Sequence, residues 1–135
     1  MIVVVGGSSR KAGKTTTICE IIAATREAQW TAVKVTPHAH EAGEFGDTER
    51  YTKAGAVRSL LTQELTGHAD QGNTIVESNA VMDALDPDVF VFVDGGGDWK
   101  PSAKRHAAKA HYIVRGHATS EVIAHIRQEL AREQA

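Results

Sequence analysis

The chain has 135 residues, with 15 Lys and Arg against 17 Asp and Glu, a formal net charge of −2. That balance excludes a broad cationic surface for nucleic acid or anionic lipid, and the length suits one domain spanning residues 1–135 around a single core. Apolar runs reach strand length and fall well short of the roughly 18 residues of a membrane span, and with Cys19 the sole cysteine no intrachain disulfide can form, which fits a reducing cytoplasm.

In chain order, short apolar runs alternate with helical periods. Ile2–Val5, Ala32–Val35, Thr74–Val76, Val89–Val93 and Tyr112–Val114 are rich in β-branched residues and show little period-2 alternation, the pattern of strands covered on both faces. Ile18, Ile21, Ile22 and Thr25 share one helical face, as do Val122, Ile123, Ile126 and Leu130. The expected fold is α/β, three-layered, with a mainly parallel central sheet and right-handed crossovers. The first strand starts at the N-terminus, so no secretory or transit peptide is expected. Thr119 and Ser120 are candidate N-caps of the last helix, and Ser102 behind Pro101 is a helix opening. PHAHEAGEFG, residues 37–46, lacks periodicity and reads as a long active-site loop. Cys19, on a helix that should pack on the sheet, reads as a small core residue.

The first turn carries the chemistry. In GGSSRKAGKTTT, a buried-strand pattern runs into Gly13-Lys14-Thr15 and then into a helix. Glycines let backbone N–H groups converge on phosphate oxygens, a lysine meets the β/γ-phosphates, a hydroxyl serves Mg²⁺, and the helix N-terminus favours an anion. This is the chemistry of a P-loop spanning Ser8, Ser9, Arg10, Lys11, Ala12, Gly13, Lys14, Thr15 and Thr16. Ser8 stands where the pattern's first glycine belongs. Lys14 takes phosphate charge, Thr15 faces Mg²⁺, and Thr16 contacts the α-phosphate.

Such a site needs an acid at the end of a neighbouring strand. Glu77 follows TIV and Asp94 follows VFVFV, and the sequence does not choose between them. Asp47 is either a site acid or an N-cap, since Asp-Thr-Glu is favourable helix-start chemistry. His38, His40 and Glu41 carry zinc-type ligand groups, but the short His-x-His has no second pair at a recognisable spacing, so these histidines read equally as facing phosphate or substrate. Asp98 in GGGDWK is placed to accept from the N1 and N2 donors of a guanine.

The order of these features resembles the MobB family, the adaptor proteins of molybdopterin guanine dinucleotide biosynthesis. An N-terminal P-loop is followed by AVKVTPHAHE, then GDTERYTKAGA, then TIVES, so the resemblance runs through most of the chain. Its specific parts are the P-loop and DTERYTKAGA. The resemblance implies a P-loop NTPase fold, GTP as nucleotide with Mg²⁺, weak GTPase activity, a homodimer, and a protein partner in molybdenum cofactor biosynthesis. It places Lys14 and Thr15 on the family's P-loop, Asp47 on the acid before its tyrosine helix, and Glu77 on its second nucleotide motif, as catalytic or Mg²⁺-holding groups. Two rivals stand beside it. One is a small-molecule kinase using ATP, with its acceptor held by PHAHEAGEFG, although between Lys34 and Asn73 only Arg50 and Arg58 are available as lid arginines. The other is a nucleotide-binding scaffold without turnover.

Overall fold

A computed structural model of the chain describes residues 1–9, 12–35, 44–62, 72–78 and 86–134. The run IVVVGG forms β1 (Ile2–Gly7), buried from Val3 onward, and leads into α1 (Lys14–Ala24). A short 3-10 turn (Arg26–Ala28) precedes β2 (Thr31–Val35), after which come α2 (Glu44–Ala54) and β3 (Arg58–Thr62). Next are β4 (Thr74–Glu77), β5 (Val89–Val93), α3 (Pro101–Lys109), β6 (Tyr112–Val114) and α4 (Ser120–Gln134). The six strands form one sheet in the order β3-β2-β4-β1-β5-β6, and every pairing is parallel. Among the described residues no helix is long and apolar enough to cross a membrane.

Both faces of the sheet are covered, which is why the strands read as continuous apolar runs. Val3 and Val5 face a core built with Ile18, Ile21 and Ile22 of α1, Tyr51 of α2, and Val122, Ile126 and Leu130 of α4. Val4 faces the opposite way, into a second core with Val76, Phe90, Phe92 and Ala103 and Ala107 of α3. The layers are therefore helix, sheet, helix. Thr25 donates its hydroxyl to the Ile21 carbonyl at 2.6 Å and accepts the Trp30 indole N–H at 2.9 Å.

All five expected strands are present within a residue or two. The sheet has a sixth, β3, that the sequence reading passed over. RSLLT pairs only with β2, at the sheet edge, and its half-exposed side chains need no β-branched run. Residues 44–46, read as the end of a loop, are already helical. Asp47 accordingly sits inside α2 and is not its N-cap, and its carboxylate turns to a lysine on β2. Thr119 does cap α4, accepting the Val122 N–H at 3.3 Å, and Pro101 opens α3 with Ser102 behind it. Cys19 lies half-buried against the core, where burial pushes its thiol up, as befits a packing residue.

The topology brings three strand ends together. β1 lies between β4 and β5, and the register sets Val5 beside Glu77 and Gly7 beside Val93. From β1 the chain crosses to β2 on one side, while β5 and β6 lie on the other. A crevice forms outside the carboxyl ends at such a reversal, where open α/β sheets take their ligands.

Candidate functional site

The turn from β1 into α1 is gripped from two directions. Ser8 donates its backbone N–H to the Val93 carbonyl at 3.0 Å, and its hydroxyl accepts the Gly95 N–H at 2.8 Å. A Cβ on Gly95 would stand 2.9 Å from the Ala12 Cα, so the segment after β5 touches the turn backbone to backbone. On the other side, Gly13 has φ of 104°, and a Cβ there would lie 2.8 Å from the Gly116 Cα. Glu20 holds that second support, accepting the Ala118 N–H at 3.1 Å and lying 3.2 Å from His117 Nδ1.

Gly13 therefore carries a double requirement, a left-handed backbone and close approach. We expect Gly13→Ala to cost about 2–4 kcal/mol from strain and overpacking together. Thermal unfolding should show a drop of several degrees; an unchanged midpoint would mean that the turn relaxes away from Gly116.

Lys14 opens α1, and its side chain turns back over the preceding strand. A Cβ on Gly7 would meet the Lys14 Cγ and Cδ at 3.0 Å, so glycine at position 7 leaves room for the lysine stem. The first-turn N–H groups of α1 face the β1–α1 turn. No acidic side chain lies in that first turn to offset their positive end.

Thr15, one residue on, is joined to the acid at the end of β4. Its hydroxyl donates to Glu77 Oε1 at 2.8 Å, and the same oxygen accepts the Tyr51 hydroxyl at 2.7 Å. The other oxygen, Oε2, lies 2.9 Å from the Lys34 ammonium, which also pairs with Asp47. Glu77 is 4% exposed and Tyr51 fully buried, and at such depth a carboxylate needs these partners. Burial works against the Lys34 charge, but the hydrogen bonds and charges of Asp47 and Glu77 outweigh it and hold its pKa above the ordinary value. Burial, followed by the Glu77 charge, raises the Tyr51 phenol far out of the physiological range, so it remains a donor.

The two strand-end acids thus divide. Asp94 Oδ1 accepts the Gly96 N–H at 2.8 Å and the Trp99 indole N–H at 3.1 Å, and those bonds, Gly96 first, hold its carboxyl below the usual range. Trp99 in turn packs edge-on against Phe92, with ring centroids 5.1 Å apart. Asp94 shapes the segment after β5 and does not reach Thr15 through any described bond. Asp98 is exposed farther along that segment, and no described contact joins it to the β1–α1 turn.

Of the residues singled out in the sequence, Ser8, Ser9, Ala12, Gly13, Lys14, Thr15 and Thr16 lie together at the turn, with Glu77 bonded to Thr15 and Asp47 joined through Lys34. Arg10, Lys11, His38, His40 and Glu41 lie outside the described residues. Lys34 and Tyr51 are site residues that sequence reasoning missed. A signal for Lys34 existed, because a lysine within the otherwise apolar strand TAVKV calls for a carboxylate partner.

Comparison with protein-family models, curated proteins and solved structures yields no match to this chain. The site must be read from its own chemistry.

Proposed function

We propose that this chain is a P-loop nucleotide-binding protein, MobB-like, that binds GTP with Mg²⁺ and hydrolyses it slowly. The observation that carries the reading is the Thr15–Glu77 bond of 2.8 Å, which couples the first turn of the helix after β1 to the acid ending the adjacent strand. A Gly-to-helix turn alone is a weak signal. A turn whose lysine folds back over Gly7, and whose next hydroxyl meets a buried strand-end carboxylate, is the arrangement a phosphate-bound cation requires.

The donor set fits magnesium. Among the described residues no cluster of three or more His, Cys, Asp or Glu could hold a metal by itself, and Mg²⁺ characteristically uses one or two protein oxygens together with substrate phosphates and water. Thr15 would hold the ion directly, with Glu77 behind it, and the ion would supply neutralisation of phosphate charge. Lys14 and the first N–H groups of α1 would bind the polyphosphate, and the contacts of Ser8 with Gly95 and of Gly13 with Gly116 keep the turn from spreading.

The state of Glu77 supports slow turnover. A carboxylate offers about four acceptor sites, and three donors, from Thr15, Tyr51 and Lys34, already address this one. It orients Thr15 well and is poorly free to take a proton from water. The serine at position 8 argues against a degenerate module, because its hydroxyl makes a bond that glycine could not. The adaptor role in molybdenum cofactor maturation rests on the resemblance of the P-loop and the DTERYTKAGA segment alone.

The test is nucleotide choice. At equal concentration with Mg²⁺, GTP should raise the melting temperature more than ATP, since stabilisation grows with ligand concentration over Kd. A tenfold preference is worth about 1.4 kcal/mol, a shift of a few degrees. If Asp98 reads the guanine edge, Asp98→Asn erases the difference. Equal or greater stabilisation by ATP would overturn the GTP assignment and favour an ATP-using kinase.

A further inference from the structure

Among the described residues, Arg50 is a cation beside this turn that the assignments above leave without a task. It lies on α2 between two residues already engaged with the site. Asp47, three positions before it, pairs with Lys34, and Tyr51, next along the helix, donates to Glu77. Arg50 itself donates from Nη2 to the Thr16 hydroxyl at 3.2 Å, across from α2 to the first turn of α1. Its charge also acts on Cys19, three residues farther along α1, opposing the effect of burial on that thiol. The bond to Thr16 thus sets the guanidinium over the first turn of α1.

The chemistry of that position is specific. A guanidinium has five N–H donors in a planar fork suited to paired phosphate oxygens. Here a single neutral hydroxyl, two residues from Lys14, accepts one of them, and none of the described ion pairs gives Arg50 a carboxylate. The side chain is exposed, with solvent as its alternative partner, so turning toward an arriving anion costs little.

We propose that Arg50 is a second phosphate-binding cation, reaching from α2 across Thr16 to the polyphosphate of the nucleotide from the side opposite the segment after β5. The proposal rests on the phosphate-binding reading of the β1–α1 turn and adds a residue that the P-loop pattern does not contain. It also gives α2 a reason to differ between free and nucleotide-bound protein, because the arginine would exchange a hydroxyl for phosphate oxygens.

The experiment measures Mg·GTP and Mg·ATP affinity by calorimetry for wild type, Arg50→Ala, Arg50→Lys and Lys14→Ala, alongside the melting temperature of each without nucleotide. Arg50→Ala should bind the wild type's preferred triphosphate about tenfold more weakly, with a shallower dependence of log Kd on log salt, while melting within a degree or so of wild type. Arg50→Lys should recover only part, since a point charge cannot reproduce the fork. In the protein without nucleotide, Arg50→Ala should move the pH profile of Cys19 alkylation upward, a readout of guanidinium placement that involves no nucleotide. Unchanged triphosphate affinity in Arg50→Ala, alongside lost affinity in Lys14→Ala, would overturn the role of Arg50 and leave the phosphate-loop reading standing. An unshifted Cys19 profile would overturn the placement. No binding of either triphosphate by wild type would instead remove the reading on which the proposal stands.

Discussion

Replacing Lys14 by alanine should abolish nucleotide binding and leave the fold intact. The side chain lies at the first position of α1 and is only partly buried, and its stem contacts Gly7. Losing those few methylene contacts costs the apoprotein little, about 1 kcal/mol or less. Losing the ammonium would remove charge-assisted bonds to the phosphate and leave its charge to the backbone dipoles, a Thr15-held cation and Arg50. Hydrogen bonds to charged groups are worth about 1.5–3 kcal/mol each, so a loss of at least about 100-fold in affinity is expected. Calorimetric titration of Mg·GTP into Lys14→Ala should show no binding at concentrations that saturate wild type, with nearly coincident thermal unfolding curves for the two apoproteins. Unchanged affinity would sink the phosphate-loop assignment, and with it the reading of Thr15 and Glu77.

The strand, turn and helix at the N-terminus were legible in the sequence because they announce themselves locally. An apolar strand, a small-residue turn, Lys-Thr-Thr and a helical period are all within residues 1–22, and each local preference agrees with the structure. The choice between Glu77 and Asp94 was not legible for the opposite reason. Both follow buried runs, both strands flank β1, and only the side-chain bonds separate them, Glu77 toward Thr15 and Asp94 toward Gly96 and Trp99. Long-range pairing of this kind has no signature in a window of ten residues. Lys34 and Asp47 show the same thing from the other side: Asp-Thr-Glu is good cap chemistry, yet a part-buried ammonium on β2 outbids the helix backbone for that carboxylate. Ser8 looked like a defect of the glycine pattern and is a tether to Gly95 that no single-chain motif describes. At the edge, β3 escaped because RSLLT is neither buried enough nor β-branched enough to announce a strand.

The most informative single change lies where these networks meet. Glu77→Gln keeps the shape of the side chain and replaces one oxygen by an amide that can only donate. If the remaining oxygen faces the hydroxyls of Thr15 and Tyr51, the new NH₂ points at the Lys34 ammonium, donor against donor. Reversed, it deprives both hydroxyls of their acceptor. Either way a buried partner is left unmatched, at a cost of about 1–3 kcal/mol, while Asp47 retains its pairing with Lys34 and limits the loss. The apoprotein should melt several degrees lower. Because Lys34 is held above its ordinary pKa, its contribution to wild-type stability is fully present below about pH 10 and fades only as pH rises through the raised value. The stability gap between wild type and variant should accordingly be flat from about pH 6 to pH 9 and narrow in stronger alkali. Binding and turnover report on the site itself. With Thr15 no longer held, Mg·GTP affinity should fall by about tenfold or more while affinity in EDTA changes less, and hydrolysis should drop by about 10²-fold, the effect of a reacting group misplaced by about 1 Å. A variant that hydrolyses and binds Mg·GTP like wild type, yet melts lower, would show that Glu77 serves the fold alone, and Asp47 would then be the acid to test.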